Sequence, residues 1–202
     1  MPRAAAVVLT LALPAFAAGP ETQTEADEYT RYELLAPETA TFRILYEVSA
    51  TTPGASLYFN PIRKGSEATK EAVHDRVTGR PLPFGIVSGA EARAGGHPEA
   101  DLDTPYIRIV LPRPVPRDGE VRLLVDKTYR DPGSYFREGP LIVFSRPLSI
   151  QRNAVLLPPG YELVACNVPA QVLSEEDGRI LVSFMNPFPV ETPVVVKARR
   201  LP

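Results

Sequence analysis

Apolar and polar residues alternate along residues 39–49 with a period of two. Phe42, Ile44, Tyr46 and Val48 fall on one side of this segment, and the residues between them are polar with one exception. Because successive side chains of a β-strand point to opposite faces of a sheet, this period is typical of a strand with one buried face. The segment therefore predicts a half-buried strand.

Similar short stretches recur along the chain, separated by turns rich in Pro, Gly and Asp. The sequence contains 23 prolines, and a proline inside a helix costs about 3 kcal/mol, so long helices are disfavoured. About a dozen strands spaced roughly ten to fifteen residues apart are typical of a sandwich or barrel. The strands predicted after the first are residues 56–62, a strand near Ala72, and residues 82–87, 106–111, 121–129, 135–136, 141–144, 154–157, 161–166, 171–174, 179–186 and 192–200.

We predict an all-β fold, specifically a β-sandwich of immunoglobulin-like or similar type built from two packed β-domains. The N-terminal domain would span residues 29–129 and the C-terminal domain residues 130–202, because the pattern breaks at Asp131-Pro132-Gly133. A single merged sandwich is the alternative to two domains.

Three segments do not follow the strand pattern. Residues 18–28 are polar and acidic and predict a disordered leader, and residues 88–103 predict a long polar surface loop. Residues 64–74 fit either a short helix capped by Ser66 or a loop that leads into a strand. We favour the loop and strand, since a hairpin turn containing Gly79 follows and residues 82–87 would form the returning strand.

The first seventeen residues have the features of an export signal. Arg3 supplies a positive charge, residues 4–13 are apolar, and Ala15-Phe16-Ala17 places small side chains where a signal peptidase cleaves. The apolar run is too short to span a bilayer, and no later run of about 18 apolar residues follows. We therefore expect a secreted or periplasmic, soluble protein without a transmembrane anchor after cleavage.

Charge and cysteine content narrow the classes of partner and chemistry. The formal net charge is -2, which gives no electrostatic reason to bind nucleic acid or anionic lipid. Cys166 is the single cysteine, so an internal disulfide is impossible. Its apolar neighbours in the sequence predict a buried structural thiol.

The sequence shows no motif of a known active site. There is no Gly-x-Ser-x-Gly, phosphate-binding glycine loop or dinucleotide fingerprint. His74 stands beside Asp75, but neighbours in a strand point to opposite faces, so we predict an edge or surface histidine. His97, Glu99, Asp101 and Asp103 share one loop that could hold Ca²⁺. We favour a solvated acidic loop there, and we predict no catalytic, cofactor-binding or metal-binding residues.

Arginine and aromatic residues concentrate in residues 129–153. Both residue classes are enriched at protein interfaces, so this region is our candidate surface for a protein or cell-envelope partner. The alternative is internal ion pairing, in which Arg146 and Arg152 pair with Glu138 or Asp131.

Residues 152–163 (RNAVLLPPGYEL), Asp177-Gly178-Arg179, Met185-Asn186-Pro187 and residues 75–84 (DRVTGRPLPF) carry a family resemblance. The chain resembles uncharacterised exported bacterial β-rich proteins with a sandwich-like fold. The resemblance implies export and a β-rich fold and carries over no activity.

These features favour a non-catalytic exported protein that binds a protein or a cell-envelope component. Two alternatives remain open. One is a secreted hydrolase that uses dispersed carboxylates, and the other is a carbohydrate-binding module that uses exposed tyrosines in place of the missing tryptophan.

Overall fold

A computed structural model describes residues 22–186 and 190–202. The described chain contains strands, one short α-helix and a 3-10 helix at Pro37–Thr39. In chain order the elements are β1 (Glu25–Leu34), β2 (Thr41–Ala50), β3 (Leu57–Pro61), β4 (Glu67–Asp75), β5 (Phe84–Val87), α1 (Gly89–Ala94), β6 (Tyr106–Val110), β7 (Val121–Arg130), β8 (Tyr135–Glu138), β9 (Leu141–Leu148), β10 (Arg152–Leu156), β11 (Tyr161–Cys166), β12 (Gln171–Ser174), β13 (Ile180–Met185) and β14 (Thr192–Arg200).

The strands form three sheets. The main sheet has seven strands in the order β12-β13-β10-β1-β2-β7-β4, and its strands are antiparallel except for the parallel pair β1 and β10. The second sheet has the order β11-β14-β9-β8, and the small sheet has the order β3-β6-β5. The predicted all-β, sandwich-like fold is confirmed.

The core lies where the main sheet faces the other two sheets. The predicted buried face of β2 is confirmed, because Phe42, Ile44, Tyr46 and Val48 are all buried. Phe42 of the main sheet meets Phe144 of the second sheet edge to face, with ring centroids 5.5 Å apart. Aromatic pairs of this geometry stabilise a core beyond the area that they bury.

Residues 64–87 are partly as predicted. Residues 67–75 form strand β4, so the loop and strand are confirmed against the short helix. The turn after it is also confirmed, with Gly79 at a φ of 70° and its N–H bonded to the carbonyl of Asp75. The prediction that residues 82–87 form the returning strand of this hairpin is wrong, however. Strand β5 pairs with β6 in the small sheet, and a single bridge between His74 and Pro81 joins the two arms of the turn.

The prediction of a surface loop over residues 88–103 is wrong for the first half of this segment, because Gly89–Ala94 forms helix α1. The Ser88 hydroxyl accepts a bond from the Glu91 N–H, and the Glu91 carboxylate accepts one from the Ser88 N–H. This capping box is legible in the sequence as Ser-x-x-Glu. Ala92 of the helix is fully buried in a small apolar cluster that includes Phe59, and this contact holds the segment against the small sheet.

The main sheet takes strands from both predicted domains. The predicted boundary after residue 129 falls inside β7, and β1 pairs directly with β10. Strand β1 begins at Glu25, earlier than the predicted domain start at residue 29. The division into two domains stays a prediction. The export signal at residues 1–17 lies outside the described residues, and none of the helices in the described part of the chain has the length and apolar character that crossing a membrane requires.

Candidate functional site

A pocket of about 330 Å³ lies where the three sheets meet. We call it the polar pocket, because its wall combines acidic, basic and phenolic side chains. Its ionisable and phenolic lining residues include Glu25, Glu28, Tyr46, Tyr58, Lys127 and Arg146. A volume of this size lies at the lower end of the range typical of small-molecule sites.

The register of the main sheet places a lysine in the wall of this pocket. On the core-facing side of β7, alternate residues are buried, and Lys127 occupies the position between Val125 and Tyr129. Lys127 lies opposite Ile44 of β2, which in turn lies opposite Tyr32 of β1. Because opposed residues of paired strands share a face, the lysine belongs to the same buried row as Ile44 and Tyr32.

Lys127 is only 5% exposed and is held by neutral oxygen atoms. Its Nζ donates to Asn60 Oδ1 at 2.6 Å and to the Pro61 carbonyl at 3.3 Å, and it lies 5.1 Å from the centre of the Tyr129 ring. Among the ion pairs of the described residues, none joins a carboxylate to Lys127. Burial, followed by the nearby positive charge of Arg146, lowers the pKa of Lys127 to about 7.

Arg146 lies on the same wall and is also 5% exposed. Its Nη1 donates to Asp131 Oδ2 at 2.9 Å, and its guanidinium lies 5.5 Å from the ring centres of both Phe42 and Tyr129. Burial raises the pKa of Asp131, but hydrogen bonds from Ser134 and Ser66 outweigh it, so the pKa is lowered. The pair of Arg146 and Asp131 is therefore a satisfied internal ion pair.

Two acidic side chains on β1 line the pocket and are held by tyrosines. Tyr58 donates a short hydrogen bond to Glu25 Oε2, and Tyr46 donates to Glu28 Oε1 at 2.6 Å. The two hydroxyls lie 3.5 Å apart, so they connect the two carboxylates. Burial raises the pKa of Glu25 in spite of the bond from Tyr58.

Thr30 is an unsatisfied polar residue of the same pocket. It lies opposite Tyr46 and is 1% exposed. Its hydroxyl has no hydrogen-bond partner among the described residues. Because the oxygen is fully enclosed by the protein, this hydroxyl is a local cost of burial and is not assigned a contact with a ligand.

The sequence-selected histidines and acidic loop do not converge on a metal site. His74 lies on the edge strand β4, as predicted. His97 lines the polar pocket and stacks on Phe59 with ring centroids 5.9 Å apart. Asp101 and Asp103 instead face Lys64. No group of three His, Cys, Asp or Glu side chains within residues 22–186 and 190–202 is placed to hold a metal ion.

Other sequence-based expectations have mixed outcomes. Cys166 is partly buried and packs against the main core, so the prediction of a buried structural thiol is confirmed in part. In the region 129–153, Arg146 forms the predicted internal pair with Asp131, whereas Arg152 donates to the backbone carbonyls of Asp27 and Glu28. Seven of the eight tyrosines are buried, and Tyr29 is half-buried. The described residues 22–186 and 190–202 therefore present no exposed tyrosine platform for sugar binding.

The residues that define the polar pocket were not among those predicted from the sequence. Lys127 continues the inward-facing series Val121, Leu123 and Val125, so strict alternation in β7 would have singled out a lysine at a core position. No comparable signal exists for Glu25 and Glu28, because both lie in a polar stretch with no apolar period.

Similar folds occur in known peptidases. No protein-family model and no curated protein matches the sequence. An M1 zinc metallopeptidase mutant from Deinococcus radiodurans, solved with a bound Tyr-Ser-Ala substrate, matches with a TM-score of 0.51 and 13% identity over 85% of this chain and 41% of that one. An aminopeptidase N family protein from Idiomarina loihiensis matches with a TM-score of 0.50 and 10% identity over 85% of this chain and 29% of that one. The chain thus spans less than half the length of either protein, and identities this low establish the fold alone.

The residues of this chain do not fit the zinc ion named for the Deinococcus radiodurans metallopeptidase. The sequence has two histidines, His74 and His97, which are 23 residues apart in the chain and not at the four-residue spacing of a His-Glu-x-x-His helix. The described residues also lack a cluster of metal-binding side chains. No zinc chemistry is assigned to the polar pocket.

Proposed function

We propose that the chain is an exported, non-catalytic binding protein, and that the polar pocket receives an anionic group of its ligand. The observation that carries the proposal is Lys127, a buried amine in the pocket wall with no carboxylate partner among the described residues. Export rests on the signal at residues 1–17 and on the resemblance to exported bacterial β-rich proteins.

Two cations of the pocket wall, Lys127 and Arg63, support a carboxylate or phosphate as the group that is bound. Arg146 is neutralised by Asp131, and the carboxylates of Glu25 and Glu28 in the same wall accept hydrogen bonds from Tyr58 and Tyr46. An ammonium group has three N–H donors, and Lys127 uses two of them. A ligand oxygen would take the third donor in a charge-assisted hydrogen bond, which is stronger than a bond between neutral groups.

The test compares the Lys127→Met and Lys197→Met variants of the mature protein. Lys197 is a matched control, since it pairs with Glu138 outside the pocket. The probes are succinate, inorganic phosphate and the peptide Tyr-Ser-Ala, the last because it was solved in the structurally similar peptidase. We expect Lys127→Met to weaken binding about tenfold or more, since a hydrogen bond to a charged group contributes about 1.5–3 kcal/mol. Equal binding by both variants would contradict the proposal.

Protein isolated from its native envelope extends this test beyond chosen probes. Native mass spectrometry should show a small anionic molecule retained by the wild type and lost from Lys127→Met. N-terminal sequencing of the same sample tests export, and the expected first residue lies near Ala18. An unprocessed N-terminus would contradict export.

A hydrolase is the second candidate, and the paired carboxylates of the pocket favour it. Glu25 and Glu28 share the pocket, and the raised pKa of Glu25 suits a proton donor. Two such groups are the minimum for glycoside hydrolysis. A panel of glycosides and esters tests this candidate. It requires a hydrolytic activity that Glu25→Gln abolishes and Glu162→Gln retains. Glu162 is the control because its carboxylate pairs with Arg199 on the second sheet, outside the pocket.

A further inference from the structure

Lys127 is held in a way that suits a neutral amine. Its nitrogen meets two acceptors, Asn60 Oδ1 and the Pro61 carbonyl, and no carboxylate of the described residues pairs with it. A neutral amine has two N–H donors and one lone pair, whereas an ammonium group has three donors. The two acceptors therefore satisfy two of the three donors of the ammonium form, whose third donor can bind an anion. They also satisfy both donors of the neutral form and leave its lone pair unused, and a pKa of about 7 gives both forms near neutral pH.

The surroundings of the nitrogen reinforce this preference. Lys127 belongs to a buried row with Ile44 and Tyr32. The Tyr129 ring, whose centre lies 5.1 Å from the nitrogen, favours the ammonium form and opposes this preference. Burial of this kind disfavours the charged form of a lysine, and Arg146 acts in the same direction; the acidic neighbour Glu71 opposes them. A lysine desolvated beside another cation is the standard way in which proteins make an amine nucleophilic at neutral pH.

From this geometry we infer that the Lys127 amine forms an imine with a small aldehyde or keto acid held in the polar pocket. The inference deepens the proposed function and rests on it. Arg63 on the same wall would accommodate the carboxylate of such a ligand, since Arg146 is already paired with Asp131, and the carbonyl carbon would face the amine. A pocket of about 330 Å³ has room for a ligand of this size.

The reaction is a condensation that needs no further reactant. The nitrogen lone pair bonds to the carbonyl carbon, and the carbonyl π pair moves to the oxygen. That oxygen then leaves as water with two protons, both of which come from the amine. The product is a C=N bond between Lys127 and the former carbonyl carbon, and no oxidation or reduction takes place.

The chain contains its own controls for this chemistry. The sequence has four lysines, namely Lys64, Lys70, Lys127 and Lys197, and Lys64 and Lys197 are ion-paired outside the pocket. The mature protein is incubated with glyoxylate, any imine is trapped with cyanoborohydride, and the modified peptides are mapped by mass spectrometry. Mapping also separates the lysines from the N-terminal amine.

We expect a carboxymethyl group on Lys127 at pH 7 in at least about tenfold excess over the other three lysines, because an ordinary lysine with a pKa near 10.4 is almost fully protonated there. The initial rate at Lys127 should rise with pH and level off above a midpoint of about 7. Rates at the other lysines should continue to rise past pH 9. Modification should vanish in Lys127→Met and persist in Lys197→Met.

Three results overturn the imine, each in a different way. If glyoxylate stabilises the wild type in a thermal shift but not Lys127→Met, and no adduct is trapped, the pocket binds anions without covalent chemistry and the proposed function stands. If glyoxylate modifies all four lysines at equal rates, the Lys127 amine is no more nucleophilic than an ordinary lysine. If glyoxylate neither binds nor reacts and the anion probes above also fail, the proposed function falls together with the imine.

Discussion

The side-chain nitrogen of Lys127 lies 2.6 Å from Oδ1 of Asn60, and this bond joins the main sheet to the small sheet inside the core. Both residues are buried, at 5% and 6% exposure. A lysine in such a position is rare unless it is paired with an acid, yet here its partners are an amide and a backbone carbonyl. The contact thus combines a structural link between sheets with an amine that is poised to lose its proton.

The first prediction concerns pH and stability. The pKa of Lys127 is lowered to about 7 in the folded protein, whereas the unfolded lysine keeps its proton up to a pKa near 10.4. Between these values the unfolded chain binds more protons, so the free energy of unfolding rises with pH. We expect the wild type to gain about 1 kcal/mol per pH unit relative to Lys127→Met between pH 7.5 and 9.5.

Urea denaturation of both variants across this range measures the difference. Buried tyrosines such as Tyr58 have raised pKa values and act in the opposite direction at higher pH, but they are common to both proteins and cancel. Parallel stability curves for the two proteins would show that Lys127 keeps its proton when folded.

The second prediction concerns the buried ion pair. Arg146→Ala leaves Asp131 buried without its cation, and we expect a loss of about 3–5 kcal/mol in the free energy of unfolding. Lys197→Ala breaks the exposed pair with Glu138 and should change stability by less than about 1 kcal/mol. Chemical denaturation separates the two cases. A small loss for Arg146→Ala would mean that Ser134 and Ser66 alone satisfy the Asp131 carboxylate.

The third prediction concerns the packing of helix α1. A Cβ at Gly89 would lie 2.0 Å from the Asp101 carbonyl oxygen, which is backbone and cannot move aside easily. We expect Gly89→Ala to destabilise the protein by about 2 kcal/mol or more. Gly85→Ala is the matched control, because no atom lies within 4 Å of its Cβ. Thermal unfolding of the two variants tests the contact, and equal melting temperatures would argue against it.

The fourth prediction concerns Glu25. Burial raises the pKa of this carboxyl and the Tyr58 hydroxyl lowers it, so Tyr58→Phe should raise the pKa further. Tyr46→Phe removes a bond to Glu28 and leaves the bond between Tyr58 and Glu25 in place. Carbon-13 NMR titration of the glutamate carboxyls measures the pKa directly. A lower pKa in Tyr58→Phe would show that the hydroxyl does not donate to Glu25.

Local patterns were sufficient to predict most of the strands. The buried face of β2, the turn at Gly79 and the hairpin of β12 and β13 follow from alternation and turn residues, which depend on near neighbours in the chain. Helix α1 could also have been predicted, since Ser88 and Glu91 form the Ser-x-x-Glu pattern of a capping box. It was missed because the segment is short and rich in glycine.

The partners of each strand and the composition of the polar pocket were decided by the tertiary structure. Strand β1 pairs with β2 on one side and with the distant β10 on the other, and no local pattern encodes that choice. The pocket draws Glu25 from β1, Asn60 from β3, Lys127 from β7 and Arg146 from β9. The sequence by itself determined that this is an all-β chain, because side-chain periodicity is a property of a single strand. It did not determine the chemistry of the pocket, because the burial that lowers the pKa of a lysine exists only after three sheets have closed around it.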